Sequence, residues 1–358
     1  GSNGTNIGDL MVMNGTFYFE SSTSEYGWEL FKWNSEIGLQ LVKDIFPGVN
    51  TYGLPNGSYP SLHVELDGHI YFTARDSWNG GSGNYELWKT DGTENGTVMV
   101  RDINGDDSSS SVSQLIVYED IIIFSANNGV NGTELWRTDG TELGTFMVKD
   151  INSGAGTSYS GQFINFDGLI FFSAQNSTYN MELWKTDGTF EGTRLVVDIK
   201  QGYGGSSPSS FTILNNNLYF SAADSEHGLE LWMTDGTVEG TSLVKDICLG
   251  PCDSQYLNYA MRMGATYTRE GHDYFVFAGN DNVYGFEPWV TDGTEEGTFM
   301  LSDIHWGASD SVPVMSYYST SYPIFAAVDD VFVFLAEDEL YGVEFFWNQG
   351  QITEIYYS

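Results

Sequence analysis

One repeated motif organises almost the whole chain. It reads ELWKTDGTENGTVMVRDI where it begins at Glu86, and it returns at intervals of 48 or 57 residues. Repeats of this length are typical of solenoids and propellers, in which one small unit is used many times. The sequence therefore predicts seven similar units, with five close copies that begin at Glu86, Glu134, Glu182, Glu230 and Glu287 and two divergent copies that begin at Glu29 and Glu344.

Two β-rich runs precede each copy of the motif. Before Glu230 stands SFTILNNNLYFSAAD, in which the polar residues Asn215–Asn217 separate two stretches that are typical of strands. A unit therefore reads as strand A (FTIL), strand B (LYFSA), strand C (ELWMT) and strand D (SLVKDI), with the Asp-Gly of TDGT in a tight turn between C and D. Apolar residues never follow a helical spacing over several turns, which excludes a helical solenoid.

Four antiparallel strands in a unit of about 50 residues are typical of a β-propeller blade. We therefore predict an all-β fold, a seven-bladed β-propeller with four antiparallel strands per blade, in a single domain over residues 3–358. The predicted blades cover approximately residues 9–45, 61–103, 112–151, 161–199, 209–247, 260–304 and 323–358.

The pattern ELWxTDGTxxGTxxVxDI resembles the repeat of the ELWxxDGT family, and the resemblance covers essentially the whole chain. Members of that family are mainly large secreted or surface-attached proteins. The resemblance implies an extracellular or cell-surface propeller module without a defined shared activity. Function therefore has to be sought where this sequence departs from its own repeat.

The charge of the chain excludes several classes of partner. The sequence has 13 Lys and Arg against 49 Asp and Glu, a formal net charge of −36. So negative a surface repels nucleic acid and anionic membranes, and no apolar run is long enough to be inserted in a bilayer. We expect no obligatory cofactor, although Ca²⁺ is a cation that such a chain could hold.

Three kinds of residue recur in nearly every unit, and each has a structural interpretation. The strand-C tryptophans are expected to pack between blades, the glutamates to accept hydrogen bonds from backbone donors where strand C begins, and the turn aspartates to form Asx turns. A second set of aspartates, at the end of strand D, is interpreted as local caps, and calcium ligation is the alternative for all these carboxylates. The residues are Trp88, Trp136, Trp184, Trp232 and Trp289; Glu29, Glu86, Glu134, Glu182, Glu230, Glu287 and Glu344; Asp91, Asp139, Asp187, Asp235 and Asp292; and Asp44, Asp102, Asp150, Asp198, Asp246 and Asp303.

The symmetry fails in a few enlarged loops. They are the D–A connections after Ile45, Ile247 and Ile304 and the B–C loop RDSWNGGSGNY of the second unit. On a propeller these loops share one face, and they are rich in aromatic residues flanked by Gly, Asn and Asp, as in many binding surfaces. The sequence therefore predicts a non-catalytic extracellular recognition or adhesion module, which binds a glycan or a protein through the aromatic-rich loop face of blades 5/6, 6/7 and 1/2. The alternative is that these long loops only cover the mouth of the propeller and bury their own aromatic residues. Its predicted ligand-binding residues are Tyr52, Tyr59, Trp78, Tyr256, Tyr259, Trp306, Tyr317, Tyr318 and Tyr322.

Two other functions stay open at this point. The propeller could be a structural building block of a surface filament or adhesin, since exposed D strands could pair with neighbouring copies. It could also be a glycoside hydrolase or lyase that uses two carboxylates among its many acids. The first candidates for such a pair, in the irregular units, are Asp253, Glu270, Asp273 and Asp310.

The cysteines suit an extracellular chain, whereas the sequons show only that glycosylation is possible. Cys248 and Cys252 are the only cysteines and stand as Cys-Leu-Gly-Pro-Cys, so a local disulfide is predicted. No histidine or further cysteine lies at metal-ligand spacing from them. Six sequons would permit N-glycosylation, at Asn3, Asn14, Asn56, Asn95, Asn131 and Asn176.

Overall fold

The structure is a computed structural model that describes residues 10–78, 83–105, 108–202, 204–250, 264–304, 307, 311, 325–328, 331–338, 342–348 and 355–357. All the regular elements in these ranges are β-strands. The described part of the chain therefore holds no helix with the length and apolar character that a bilayer crossing requires.

The strands come in groups of four along the chain. Blade 1 comprises β1 (Leu10–Met13), β2 (Thr16–Thr23), β3 (Gly27–Asn34) and β4 (Gly38–Leu41). Blade 2 comprises β5 (Ser61–Leu66), β6 (His69–Trp78), β7 (Gly83–Thr90) and β8 (Val98–Arg101). Blade 3 comprises β9 (Ser113–Tyr118), β10 (Ile121–Asn127), β11 (Thr133–Thr138) and β12 (Phe146–Lys149). Blade 4 comprises β13 (Gly161–Phe166), β14 (Leu169–Asn176), β15 (Asn180–Thr186) and β16 (Arg194–Val197).

The remaining strands repeat the same order. Blade 5 comprises β17 (Ser209–Leu214), β18 (Asn217–Asp224), β19 (Gly228–Thr234) and β20 (Ser242–Lys245). Blade 6 comprises β21 (Ala265–Arg269), β22 (His272–Asn280), β23 (Phe286–Thr291) and β24 (Phe299–Met300). Blade 7 comprises β25 (Phe325–Val328), β26 (Val331–Asp338), β27 (Gly342–Asn348) and β28 (Ile355–Tyr357).

Each group of four strands forms one sheet, with the strands side by side in chain order. The neighbouring strands pair antiparallel, as in blades 1 and 7. Seven such sheets are the blades of a seven-bladed β-propeller, which confirms the predicted fold class.

The B–C region of blade 2 is more regular than the sequence predicted. RDSWNGGSGNY was expected to be a loop, but β6 continues to Trp78 and β7 begins at Gly83, with these two residues paired. A bulge between Arg75 and Trp78 interrupts the register of this pair of strands. Trp78 and Arg75 are therefore residues of a strand, which holds their backbones in place.

Contacts between Cα atoms divide the chain into two compact units. The first is Gly1–Thr178 with Lys185–Arg194, and the second is Tyr179–Trp184 with Leu195–Ser358. Each unit has apolar clusters of its own. The single domain predicted for residues 3–358 stays a prediction.

In the first unit, the core lies between successive blades. Trp88 of blade 2 is buried in a cluster with Leu30 and Val42 of blade 1, and Trp136 of blade 3 is buried with Leu87 and Val100 of blade 2. Each of these tryptophans therefore fills the space against the preceding blade, which confirms that they pack between blades.

The second unit is built in the same way. Trp289 of blade 6 is buried with Leu231 and Val244 of blade 5. A further cluster joins Tyr267 of blade 6 to Phe332 of blade 7, whose ring centroids are 5.2 Å apart. The apolar residues of the repeat thus bury one blade against the next.

The TDGT segments form a hydrogen-bonded turn between strands C and D. In blade 2, Asp91 Oδ1 accepts hydrogen bonds from the backbone N–H and the hydroxyl of Thr93, and Gly96 N–H donates to Thr93 Oγ1. The predicted Asx turn is present, and it recurs at Asp139, Asp187, Asp235 and Asp292.

Candidate functional site

A buried glutamate at the start of strand C connects each blade to the chain that leaves it. Glu86 Oε2 accepts a hydrogen bond from Ile103 N–H at 3.0 Å, and its Oε1 accepts one from Ser110 N–H at 2.9 Å. The sequence predicted backbone donors where strand C begins; the donors belong instead to the end of strand D and to the D–A connection. Antiparallel pairing explains the difference, because the start of strand C lies beside the end of strand D.

The carboxylates of these glutamates are removed from water. Burial raises the pKa of five of them to about 7, although the hydrogen bonds that they accept act in the opposite direction. The pKa of Glu182 is raised for the same reason. The five are Glu29, Glu86, Glu134, Glu230 and Glu287, and the side chain of Glu344 lies outside the described residues.

The connection that the glutamate holds also forms a hydrogen bond with strand B of the next blade. In blade 1, Ser58 is held by Glu29, and Ser58 C=O accepts a hydrogen bond from Arg75 N–H of β6 at 2.9 Å. Equivalent bonds reach Asn127, Gln175 and Ala223 of later blades. This strand-B position is therefore held alike in several blades, and Arg75 is the charged side chain among these four residues.

Arg75 is surrounded by aromatic rings. Its guanidinium carbon lies 4.5 Å from the ring centroid of Tyr59 and 4.7 Å from that of Trp78. Phe46 and Tyr85 lie farther away, at 5.8 and 5.9 Å. Cations over aromatic faces at such distances are attracted by the ring quadrupole, so the guanidinium is held in one place. We call Arg75, Tyr59 and Trp78 the Arg75 clamp.

Contacts with the backbone also hold the Arg75 side chain in place. Arg75 Nε donates a hydrogen bond to Gly57 C=O at 2.8 Å. A Cβ atom at Gly83 would overlap Cδ of Arg75, so this glycine is needed for the arginine stem to lie where it does. The left-handed backbone of Tyr59, with φ of 49°, recurs at Ser111, Tyr159 and Ser207 and is therefore a property of the D–A connection rather than of the clamp.

Most of the Lys and Arg side chains of the chain bind backbone carbonyl groups instead. Seven Lys and Arg side chains donate to backbone carbonyls in the C–D segment of the next blade; Lys89 Nζ, for example, lies 2.8 Å from Gly140 C=O. The others are Lys32, Lys43, Arg101, Arg137, Lys149 and Lys245. The ion pairs of carboxylates include those of Asp224 with His227 and of Glu270 with Arg269.

The terminal amino groups of Arg75, by contrast, have no hydrogen-bond partner among the described residues. Trp78 is 54% exposed and Tyr59 is 42% exposed, so the rings that hold the guanidinium also face solvent. The Arg75 clamp thus presents a positive charge, and N–H donors without a partner in the described part of the chain, beside exposed aromatic surface, on a chain whose net charge is −36. Both rings were predicted from the sequence, but Arg75 was not. The sequence feature that could have indicated it is a cation within an aromatic-rich segment.

The structure describes three of the nine predicted ligand-binding aromatics. It brings Tyr59 and Trp78 together at Arg75 and leaves Tyr52 apart, 87% exposed and outside the ring contacts of the clamp. The other six lie outside the described residues: Tyr256, Tyr259, Trp306, Tyr317, Tyr318 and Tyr322. Of the predicted carboxylate pair, Asp253 and Asp310 also lie outside, whereas Glu270 and Asp273 belong to the A–B hairpin of blade 6.

The described residues contain no group of three or more His, Cys, Asp or Glu side chains that could hold a metal ion. Five strand-D aspartates each have a buried Oδ1 without a hydrogen-bond partner, so their interpretation as local caps accounts for only part of their polar atoms. These are Asp44, Asp150, Asp198, Asp246 and Asp303. Calcium binding stays a prediction.

Cys248 is buried and disulfide-bonded. Cys252 lies outside the described residues, so the predicted pairing of the two stays a prediction. The sequons at Asn14, Asn56, Asn95, Asn131 and Asn176 lie within the described ranges and the one at Asn3 lies outside them, and glycosylation of all six also stays a prediction.

Comparison with known proteins finds likeness only among solved structures, because neither a family model nor a curated protein matches the chain. Puromycin hydrolase is 10% identical with a TM-score of 0.45, and the alignment covers 99% of this chain and 54% of that one. A structure from a study of two prolyl endopeptidases is 10% identical with a TM-score of 0.48, over 99% and 49%. The β-propeller domain of the Trilobed protease from Pyrococcus furiosus is 11% identical with a TM-score of 0.41, over 100% and 96%.

The chain spans about half the length of the first two proteins and nearly all of the third, which is a propeller domain alone. At this identity the likeness concerns the fold. The prediction of a non-catalytic recognition or adhesion module is contradicted by these similar structures, which are a puromycin hydrolase, a structure from a study of prolyl endopeptidases and the propeller domain of a protease. None of these structures carries a catalytic residue over to this chain, and the expectation that the chain is no enzyme stays a prediction.

Proposed function

We propose that this propeller binds small carboxylate-bearing molecules at the Arg75 clamp, and that the free carboxyl terminus of a short peptide is the group it receives. The observation that carries the proposal is the state of Arg75: its guanidinium is fixed by Tyr59, Trp78 and Gly57, while its terminal amino groups have no partner among the described residues.

A guanidinium recognises a carboxylate through two parallel N–H···O bonds, which add both charge and geometry. Such recognition is strongest when the arginine is already held in place, because little side-chain entropy is then lost on binding. The rings of Tyr59 and Trp78 supply that fixation, and Nε is occupied by Gly57 C=O, so the terminal edge of the guanidinium is the one left for a ligand.

The charge of the chain favours a small ligand over an extended acidic one. With a net charge of −36, most of the surface repels anions, and a carboxylate is attracted where a cation such as Arg75 has no partner among the described residues. A peptide terminus brings one carboxylate and an adjacent apolar side chain, and the half-exposed ring of Trp78 offers apolar surface beside the guanidinium.

The test compares two forms of one probe. An N-acetylated alanyl-leucine dipeptide with a free carboxylate is titrated by calorimetry against the full chain, in parallel with the same dipeptide amidated at its C terminus. We expect the acid to bind and the amide to bind at least about tenfold more weakly, since a charge-assisted hydrogen bond contributes about 1.5–3 kcal/mol. Added salt should weaken the binding of the acid.

Variants locate the site. Arg75→Gln should weaken binding at least about tenfold, and Arg75→Lys should weaken it less, because it keeps the charge but loses the fork of donors. Arg194→Gln removes the same charge from an exposed position outside the clamp and serves as the control. Equal affinity of Arg75→Gln and Arg194→Gln, or equal affinity for acid and amide, would overturn the proposal.

A further inference from the structure

The connection between blades 1 and 2 is longer than its counterparts. From the glutamate of strand C to the serine that it binds, the chain advances 29 residues in blade 1, from Glu29 to Ser58. The same step takes 24 residues in blades 2, 3 and 4, so this connection carries five additional residues. Ser58 C=O still accepts its hydrogen bond from Arg75 N–H, so the insertion leaves the common arrangement at strand B unchanged.

The longer connection contains a small hairpin. Its ends, Val49 and Pro55, pair as an antiparallel bridge, and Asn50 N–H donates a hydrogen bond to Leu54 C=O at 2.8 Å. The side-chain oxygen of Asn50 accepts hydrogen bonds from two further backbone N–H groups inside the turn. We call residues 49–55 the Val49 hairpin. Its own hydrogen bonds hold the backbone in one conformation, so its side chains are presented in fixed directions.

Both ends of the connection that carries the hairpin lie at Arg75. The ring centroid of Phe46, before the hairpin, is 5.8 Å from the guanidinium carbon, and that of Tyr59, after the hairpin, is 4.5 Å from it. Gly57 C=O accepts the hydrogen bond of Arg75 Nε. Three residues of extended chain span at most about 11 Å. The Cα atom of Val49 therefore lies within about that distance of the Cα atom of Phe46.

The Val49 hairpin presents apolar side chains to solvent. Val49 is 65% exposed, Tyr52 is 87% exposed and Leu54 is 61% exposed. The sequence from Ile45 to Val64 contains no Asp, Glu, Lys or Arg, on a chain with 49 Asp and Glu. Apolar surface beside a few polar groups of fixed position is typical of ligand sites. The hairpin and the Arg75 clamp together supply these two kinds of surface.

We infer that the Val49 hairpin binds an apolar side chain of the same peptide whose carboxyl terminus is held at the Arg75 clamp. The site then takes peptides of about four residues or more that have apolar residues before the last two. An extended tetrapeptide spans about 10 Å between its first and last Cα atoms, which matches the reach from Phe46 to Val49. Contact with the ligand removes exposed apolar surface from water, and the fixed backbone of the hairpin limits the entropy lost on binding. This inference rests on the proposed function and adds to it the class of peptide.

The experiment compares three N-acetylated peptides with a free carboxyl terminus. They are the dipeptide alanyl-leucine and its two extensions, leucyl-leucyl-alanyl-leucine and seryl-seryl-alanyl-leucine, each titrated by calorimetry into the full chain. We expect the peptide with two added leucines to bind at least about tenfold more tightly than the one with two added serines, because burial of one leucine side chain is sufficient for such a difference. The peptide with the serines should bind like the dipeptide.

A double variant and a matched control locate the apolar contact. Tyr52→Ser combined with Leu54→Ser removes two exposed apolar side chains from the Val49 hairpin, at positions where substitution leaves the fold intact. It should abolish the advantage of the peptide with two added leucines and leave the affinity for the dipeptide unchanged. Leu143→Ser removes a 93% exposed leucine from the C–D turn of blade 3 and should leave all three affinities unchanged.

Three outcomes would overturn the inference. Equal affinity for the two tetrapeptides, with the dipeptide still bound, would remove the role of the Val49 hairpin and leave the Arg75 clamp in place. A leucine advantage that persists in the double variant would assign the apolar contact to another surface. Dimerisation of the chain in sedimentation experiments, abolished by the double variant, would show that a second copy covers the hairpin. Failure of the dipeptide itself to bind would instead overturn the proposed function, and this inference with it.

Discussion

At the scale of single residues, the repeat glutamates show what could be predicted and what could not. Their recurrence at the start of every strand C indicated a structural role with backbone partners, and the structure shows that role at Glu86 and Glu134. Sequence could not tell which donors they bind, because those belong to a connection whose path depends on the tertiary fold. Arg75 was not predicted for a related reason. One cation in a sequence does not indicate a binding site until the fold shows that aromatic rings surround it.

Glu134→Ala should lower the free energy of unfolding by about 2–4 kcal/mol, because Ile151 N–H is then left buried without its acceptor. Glu134→Gln keeps an acceptor oxygen and should cost less. Urea unfolding at pH 6 measures both, and Glu142→Ala, at an exposed position in the next turn, should stay within about 0.5 kcal/mol of the parent chain. A loss at Glu134→Ala no larger than that of Glu142→Ala would contradict the structural role of this carboxylate.

At the scale of elements, the four-strand unit and its C–D turn were the most predictable features, because their signals are local and occur many times. Asp91 and Thr93 sit in a turn whose hydrogen bonds involve neighbours in sequence. The B–C region of blade 2 was less predictable, since Gly and Asn there suggested a loop where paired strands reach Trp78 and Gly83. Long-range pairing outweighs local turn preference in such a segment.

Two glycines in these elements have nearly the same φ but different surroundings. Substituting each of them distinguishes the free-energy cost of a left-handed backbone from the cost of a steric overlap. Gly140, with φ of 84°, lies in a C–D turn where an added Cβ would overlap the hydroxyl of Tyr71, whereas Gly154, with φ of 88°, has open space around it. Gly154→Ala should cost about 1–2 kcal/mol from its left-handed backbone alone. Gly140→Ala should cost about 1–3 kcal/mol more, because the turn must move away from Tyr71. Thermal unfolding of the two variants tests this, and equal losses would show that the contact between Gly140 and Tyr71 does not matter.

At the scale of the whole molecule, two sets of carboxyl groups, one with raised and one with lowered pKa values, determine how the stability of the fold changes with pH. The buried repeat glutamates have pKa values raised by burial from 4.5 to about 7, so the stability that they contribute is complete below about pH 4.5 and is lost as the pH rises through 7. The turn aspartates Asp91 and Asp139 have pKa values lowered by hydrogen bonds from threonine, so their contribution is lost as the pH falls below about 3.8. Stability should therefore be greatest at mildly acidic pH.

Net charge adds to the same trend. With 13 Lys and Arg against 49 Asp and Glu and a net charge of −36, ionisation of the buried glutamates increases repulsion that few cations offset. Raising the pH from 5 to 8 at low salt should therefore lower the melting temperature, and sodium chloride at about 0.5 M should recover part of the loss by screening exposed charges. Salt should recover less of the part due to buried carboxylates, since buried groups are screened weakly. Calorimetric scans at pH 5 and 8, each with and without salt, measure both effects, and a melting temperature that rises between pH 5 and 8 would contradict the raised pKa values of the repeat glutamates.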